Sequence, residues 1–516
     1  MEFAVKVGHP LKQKIGCIIL PIYESVKIPD QIKKLDAHLA TQISALVKKG
    51  DIEGKIGQTL LFHPALSSSA SHAAEKFERV LLVGCGKGKQ LTEAQYKEII
   101  QASTQALKKC NTTDAYSFLT EIEVHQREIS WKIKYATEFM RELDYEFVDF
   151  KTKKSYTPKI KRLRKFYWLI ENKKALYAAE TALEQAVAVS DGMALTKDLA
   201  NTPANICTPS YLAHKAEELV KLHKKSTYKI SVAVLEAKEI KALKMGSFLS
   251  VTQGSPEAPK LITLSYRGAK KKDDKPIVLV GKGITFDTGG NSLKPAASMI
   301  GMKFDMCGAA TVMGVMHAAA TLQLPINIIG VIPTCENIPG GKASRPDDIV
   351  TSMSGITIEI ANTDAEGRLI LCDALTYCER YHPAVVIDIA TLTGACVVAL
   401  GSHASAVLTN HQPLANDLLK AGEHSLDRAW QMPLWDEYGQ QLKSPVADLC
   451  NIGGPEAGTI TAACFLSNFT KNYHWAHLDV AGTAAKYTGD KKGATGRPVP
   501  MLVQYLINKS GRDHNG

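Results

Sequence analysis

At 516 residues, 45% hydrophobic and 22% charged, the chain exceeds one small core and has an ordinary globular composition, so two or three domains are expected. Eleven cysteines without C-x-x-C spacing argue against a disulfide framework and a structural zinc site, while MEFAVKVGHPLKQKIGCIIL, with its scattered charges, does not read as a signal peptide, and no uninterrupted apolar run of about 18 residues suggests a membrane span. A cytoplasmic protein is expected, with a net charge of +10 held mostly in residues 1–170, where 28 Lys and Arg face 19 Asp and Glu.

The first part alternates strand-like GCIILPIY (16–23), helix-like DQIKKLDAHLATQISALVKK (30–49), strand-like RVLLVGCG (79–86) and helix-like TEAQYKEIIQASTQALKK (92–109). Such alternation predicts parallel strands with crossover helices. Gly84, Gly86 and Gly88 follow the second strand, but the third glycine falls one position short of G-x-G-x-x-G and no partner acid is evident. A structural turn is the better reading. The basic surplus then peaks in KTKKSYTPKIKRLRKF (151–166), either a solvated connector or a contact for anions or nucleic acid.

An Ala-, Glu- and Leu-rich stretch from about Lys174 to Leu195 predicts a bridging helix. The expected division is an N-terminal α/β domain (1–165), a linker helix (166–192) and a C-terminal domain (193–516). PIVLVGKGITF, INIIGVIPTC, ITIEIA, AVVIDIATL and HWAHLDVAG are nearly continuous apolar runs, as in strands buried on both faces of a central sheet. Helix-like CGAATVMGVMHAAATLQ and RLILCDALTYCERY lie among them. The fold class expected is two α/β domains, the second with a mostly parallel central sheet. Sheets of this kind bind ligands beyond the carboxyl ends of their strands.

Chemistry-bearing residues gather at such ends. GKGITFDTGGNSLKPAASMIGMKFDMCGAA (281–310) carries Lys282, Asp287, Lys294 and Asp305, and NTDAEGRL (362–369) carries Asp364, Glu366 and Arg368. Four carboxylates in one cleft repel unless positive charge sits among them. Oxygen-rich clusters without Cys or His suit a pair of hard dications such as Mg, Mn or Zn. A neutral Lys282 amine is a possible ligand, which requires its pKa to be driven down by the metals, and an ammonium counter-ion is the alternative. Lys294 and Arg368 suit the fixed positive charge that steadies an oxyanion or holds an anionic cofactor. Singly, Asp287 reads equally as a turn initiator, Asp305 as a helix cap and Arg368 as a first-turn residue. Jointly, their concentration in one window of about 90 residues favours a site.

The spacing of these seven residues and the unaltered NTDAEGRL resemble the leucine (cytosol) aminopeptidase family. The resemblance runs from about residue 193 to the C-terminus, with further blocks ATLTGA (390–395), ADLCNIGG (447–454), ITAACFLSNF (460–469) and WAHLDVAG (475–482). It implies one tight metal on Lys282, Asp287, Asp305 and Glu366, and an exchangeable one on Asp287, Asp364 and Glu366. Mn or Zn is expected, with Mg or Co as alternatives. It further implies Lys294 and Arg368 as the catalytic pair, with Arg368 positioning a bicarbonate general base. Met302, Thr391, Gly394 and Ala481 would line the pocket for the first side chain, and the Leu392 backbone would hold the substrate. Peptides with a free N-terminus are the implied substrates, leucine and other apolar residues are preferred, and the assembly is a homohexamer. Asn291, where the family more often has an aliphatic residue, and GGPEAG (453–458), which lacks a basic residue, depart from the pattern. The rival readings are a dinuclear phosphoesterase, which would add His ligands, and a DNA-binding protein. His477 reads as a satisfied core residue rather than a ligand.

Overall fold

The computed structural model describes residues 1–8, 15–24, 32–33, 37–64, 77–88, 90–152, 163–271, 273–487 and 492–511. The basic run therefore lies mostly outside the described residues. The chain divides into two compact units, Met1–Ser190 and Asp191–Gly516.

The first unit is a six-stranded sheet in the order β1-β6-β5-β2-β4-β3. Its strands are β1 (Glu2–Val7), β2 (Cys17–Ile22), β3 (Thr59–Phe62), β4 (Val80–Gly84), β5 (Asp114–Ser117) and β6 (Lys165–Ile170). Only β3 runs antiparallel to its neighbour. β2 and β4 are buried at every position, consistent with their unbroken apolar sequences. Helices Ala37–Lys49 and Glu93–Lys108 fall within the predicted segments, the second closed by a capping box at Thr92 and Gln95. The expected linker from 166 differs: KFYWLI pairs as β6 with β1 and β5, as its aromatic and apolar content favours. The bridging helix begins at Leu176 and runs to Asn201. A side chain at Gly84 would meet Lys55 O at 1.9 Å and one at Gly88 the Tyr23 ring at 2.4 Å. The glycine-rich turn is filled by its own chain, so its glycines serve packing.

The second unit holds a nine-stranded sheet in the order β16-β15-β18-β14-β9-β11-β8-β7, with β10 alongside β11. Its strands are β7 (Lys229–Leu235), β8 (Lys260–Arg267), β9 (Ile277–Gly281), β10 (Gly283–Asp287), β11 (Asn327–Asn337), β14 (Val385–Ala390), β15 (Ser405–Thr409), β16 (Ala429–Gln431) and β18 (Trp475–Asp479). A separate three-stranded sheet contains β12 (Asp348–Thr351), β13 (Thr357–Ile360) and β17 (Leu449–Cys450). ITIEIA thus belongs to this small sheet and not to the central one, and its alternating burial shows a strand covered on one face.

The central strands β18, β14, β9 and β11 are mutually parallel, so their carboxyl ends share one edge. PIVLVGKGITF is two strands, broken at Lys282. There the Lys282 N–H donates to Ile389 O at 3.0 Å and its carbonyl accepts from Ala309 N at 2.9 Å. The helical stretch Ala296–Leu322 is apolar and long enough to cross a membrane by composition, yet 72% of its most apolar window is buried, as in a core helix.

Candidate metal centre

β9 delivers Lys282 to the carboxyl edge, β10 ends on Asp287, and β14 leads into Thr391 and Leu392. Glu366 opens the helix Glu366–Cys378, where the helix dipole favours a negative group. Asp305 follows the short 3-10 turn Met302–Phe304, directly before the helix Cys307–Leu322.

The side chains converge. Lys282 Nζ lies 2.8 Å from both Asp305 Oδ1 and Glu366 Oε1 and donates to Thr391 O at 3.1 Å. Lys294 Nζ bridges Asp287 Oδ2, at 2.9 Å, and Asp364 Oδ1. Carboxylate oxygens of Asp287, Asp364 and Glu366 all lie within 4.8 Å of one another, close enough to share an ion. Lys282, Asp287, Asp305, Glu366 and Arg368 are buried. Six residues drawn from positions 282 to 366 therefore form one cluster, and buried Arg368 stands two residues beyond Glu366.

Its charge balance is strained. Burial raises the pKa of the Asp305, Glu366 and Asp364 carboxyls, and neighbouring carboxylates push in the same direction. For Lys282, burial works to lower the pKa, but Asp305, Glu366 and Asp287 outweigh it and hold the amine above the ordinary lysine range. In this arrangement the two ammonium groups act as counter-ions among the four carboxylates. Asp305 Oδ2 is buried and has no hydrogen-bond partner among the described residues. An acidic excess with an unused carboxylate oxygen fits divalent cations, and the all-oxygen, single-amine donor set fits hard or borderline ones. Arg368 Nη1 donates to Asn451 O at 2.7 Å, whereas its buried Nε has no partner among the described residues and burial pushes the guanidinium down to about 10. An unpartnered buried donor suits a small anion.

Of the expected pocket residues, Thr391 donates through Oγ1 to Asp305 Oδ1 at 2.8 Å, and Met302 O accepts from Asp305 N at 3.3 Å. Gly394 is exposed at the start of the helix Gly394–Leu400, and Ala481 is buried just beyond β18. His477 is fully buried with Nδ1 2.6 Å from Asp388 Oδ1, but its Nε2 has no partner among the described residues, which leaves it half satisfied there. Asn291, one of the departures, donates to Ala343 O and Ser344 O and touches no carboxylate of the cluster.

Sequence reading missed the residues that hold this cluster in place. Asn337, ending β11, donates through Nδ2 to Asp287 Oδ1 at 2.8 Å and to Thr363 O at 3.1 Å. Thr363 Oγ1 donates to Gly289 O and accepts from Ser292 N, which ties the turn before Asp364 to the loop carrying Lys294. Asn451 Oδ1 accepts from Ala361 N and Asn362 N, and its Nδ2 donates to Asn362 O. Their signal was position: Asn337 ends an apolar strand and Asn451 stands within ADLCNIGG.

Comparison with known proteins places the whole chain in one family. Residues 194–503 match the catalytic domain of the cytosol aminopeptidase family and residues 19–154 match its N-terminal domain. A probable cytosol aminopeptidase of Thioalkalivibrio sulfidiphilus is 52% identical over 511 residues, covering 99% of this chain and 100% of that protein. One of Colwellia psychrerythraea is 50% identical over 515 residues, covering 99% of each. Among solved structures, the bottromycin maturation enzyme BotP superimposes with a TM-score of 0.80 at 28% identity, covering 96% of this chain and all of that one.

Proposed function

The chain belongs to the cytosol aminopeptidase family and is a metal-dependent aminopeptidase, and from that premise we propose how its residues divide the work. The observation that carries the reading is the largely buried cluster of four carboxylates and two lysines, in which Asp364 and Lys294 stay partly exposed and one Asp305 oxygen is unused among the described residues. Lys282, Asp287, Asp305 and Glu366 hold a tight dication, and Asp287, Asp364 and Glu366 an exchangeable one. Mn or Zn is the expected metal.

Two such ions, when bound, would supply Lewis-acid polarisation of a carbonyl and activation of water at neutral pH. The protein's own groups do the rest. Lys294, a cation beside Asp287 and Asp364, faces the negative charge that develops on the scissile oxygen. Arg368, whose buried Nε has no partner among the described residues, would hold a bicarbonate, which would supply a general base when bound. Thr391, Gly394, Met302 and Ala481 receive an apolar first side chain, and the Leu392 backbone aligns the peptide. The acidic cluster selects for a free α-amine, because an acetylated terminus brings neither positive charge nor a lone pair to it. The catalytic work falls to residues 193–516 of a cytoplasmic homohexamer.

The test is hydrolysis of leucine anilide by metal-stripped protein with Mn, Zn, Co or Mg restored singly, beside the acetyl-leucyl analogue. Stripping should abolish turnover, a single metal should restore it, and the acetylated substrate should be refused. Full activity in exhaustively metal-free protein, or equal turnover of both substrates, would refute the assignment.

A further inference from the structure

β18 places Trp475, His477 and Asp479 on one face of the sheet, because side chains two apart share a face. On the neighbouring strand, Asp388 stands directly opposite His477 and Ala390 opposite Asp479. All four polar or aromatic residues of this row are fully buried. Asp388 accepts from Trp475 Nε1 at 2.7 Å through Oδ2 and pairs with His477 Nδ1 through Oδ1.

Asp479 does something different with its carboxylate. Oδ1 accepts from Leu392 N at 3.2 Å and from Ala481 N at 3.1 Å, and Oδ2 accepts from Thr393 Oγ1 at 2.7 Å. Thr393 in turn caps the helix Gly394–Leu400 by accepting from Cys396 N. One buried acid therefore grips the loop after β14 and the turn after β18 together. The same loop reaches the metal cluster, since Thr391 bonds Asp305 through Oγ1 and Lys282 through its carbonyl.

A fully buried carboxylate is costly unless its oxygens are well supplied with donors, and Asp479 spends its bonds on backbone and hydroxyl groups beside the expected pocket. We propose that Asp479 is a positioning residue for the substrate's first residue, fixing Leu392, Thr393 with Gly394, and Ala481 in one geometry while touching neither metal nor substrate. The proposal rests on the assignment of these residues to the first-residue pocket. Behind it, His477 pairs with Asp388 through Nδ1 and shares a sheet face with Asp479.

The test measures kcat and KM for leucyl and alanyl anilides, with metal stoichiometry, in the metal-loaded full chain. Asp479→Ala leaves two backbone N–H groups without an acceptor. It should raise KM for the leucyl substrate by about tenfold or more, the scale of one lost buried hydrogen bond, and narrow the leucyl-to-alanyl preference with both metals kept. Asp479→Asn, whose amide oxygen can still accept both N–H bonds, should recover most of the loss. If Asp479→Ala does not fold, Thr393→Val decides: it removes the hydroxyl's bond to Asp479, together with its bonds to Cys396 N and Thr459 Oγ1, leaves the acid's two backbone bonds in place, and should shift KM and preference in the same direction by a smaller factor. Unchanged KM and preference in folded Asp479→Ala, or in Thr393→Val where Ala does not fold, overturns the proposal, as does loss of turnover explained wholly by lost metal. Met302→Ala is run in parallel. If it moves preference while the Asp479 variants do not, positioning by Asp479 fails and the pocket stands; if Met302→Ala also changes nothing, the pocket assignment itself is wrong.

Discussion

At the scale of single residues, the two lysines of the cluster carry the same charge in different settings. Lys282 sits between Asp305 and Glu366 with its side chain 3% exposed, and Lys294 bridges Asp287 and Asp364 at 15%. As a metal ligand, Lys282 must lose its proton against the carboxylates that now hold it on. Dications can do so because each brings twice the ammonium's charge to the same oxygens. Replacing either lysine with methionine keeps much of the stem and removes the amine. If Lys282 is a ligand, Lys282→Met should lose the tight metal. If it is only a counter-ion, removing a repelling cation should leave metal binding equal or tighter. Lys294→Met should keep both metals and lose turnover by about 10²-fold, the usual scale for one electrostatic element at an oxyanion. Metal analysis of both proteins beside their rates decides between these roles.

At the scale of elements, the site depends on close approach of backbone to side chain. The helix Glu366–Cys378 begins against Lys282, and a side chain at Gly367 would meet Lys282 Cε at 2.6 Å and Nζ at 2.7 Å. Gly289 takes φ +88 in the loop leading to Lys294, a left-handed conformation that other residues adopt with strain. Gly367→Ala sets two effects in opposition. Alanine favours the helix interior over glycine by about 1 kcal/mol at most, yet its methyl displaces the Lys282 amine from Asp305 and Glu366. The expected outcome is a melting temperature near that of the wild type with turnover and tight-metal content both lowered. Wild-type activity in Gly367→Ala would show that the amine's position is not decisive.

At the scale of the whole molecule, metal binding and folding are linked. A dication bound by the folded cluster but not by the unfolded chain stabilises by mass action. Metal-stripped protein should therefore melt lower than loaded protein, with the difference growing with added Mn or Zn; a melting temperature indifferent to chelation would count against a resident metal. The sequence by itself determined the alternation of strands and helices, the apolar runs of β2, β4, β9, β11, β14 and β18, and the six residues of the cluster with Arg368 beside them, because buried strands and ligand clusters leave marks in local composition. It left unmarked what depends on partners distant along the chain. Whether ITIEIA joined the large sheet, that KFYWLI paired as β6, and that PIVLVGKGITF broke at Lys282 to bond Ile389 and Ala309 were decided by tertiary pairing. So were the supports at Asn337, Asn451 and Asp479: position alone marks a single Asn or Asp in the sequence, and its role appears only when the fold brings Asp287, Arg368 or Leu392 within hydrogen-bonding distance.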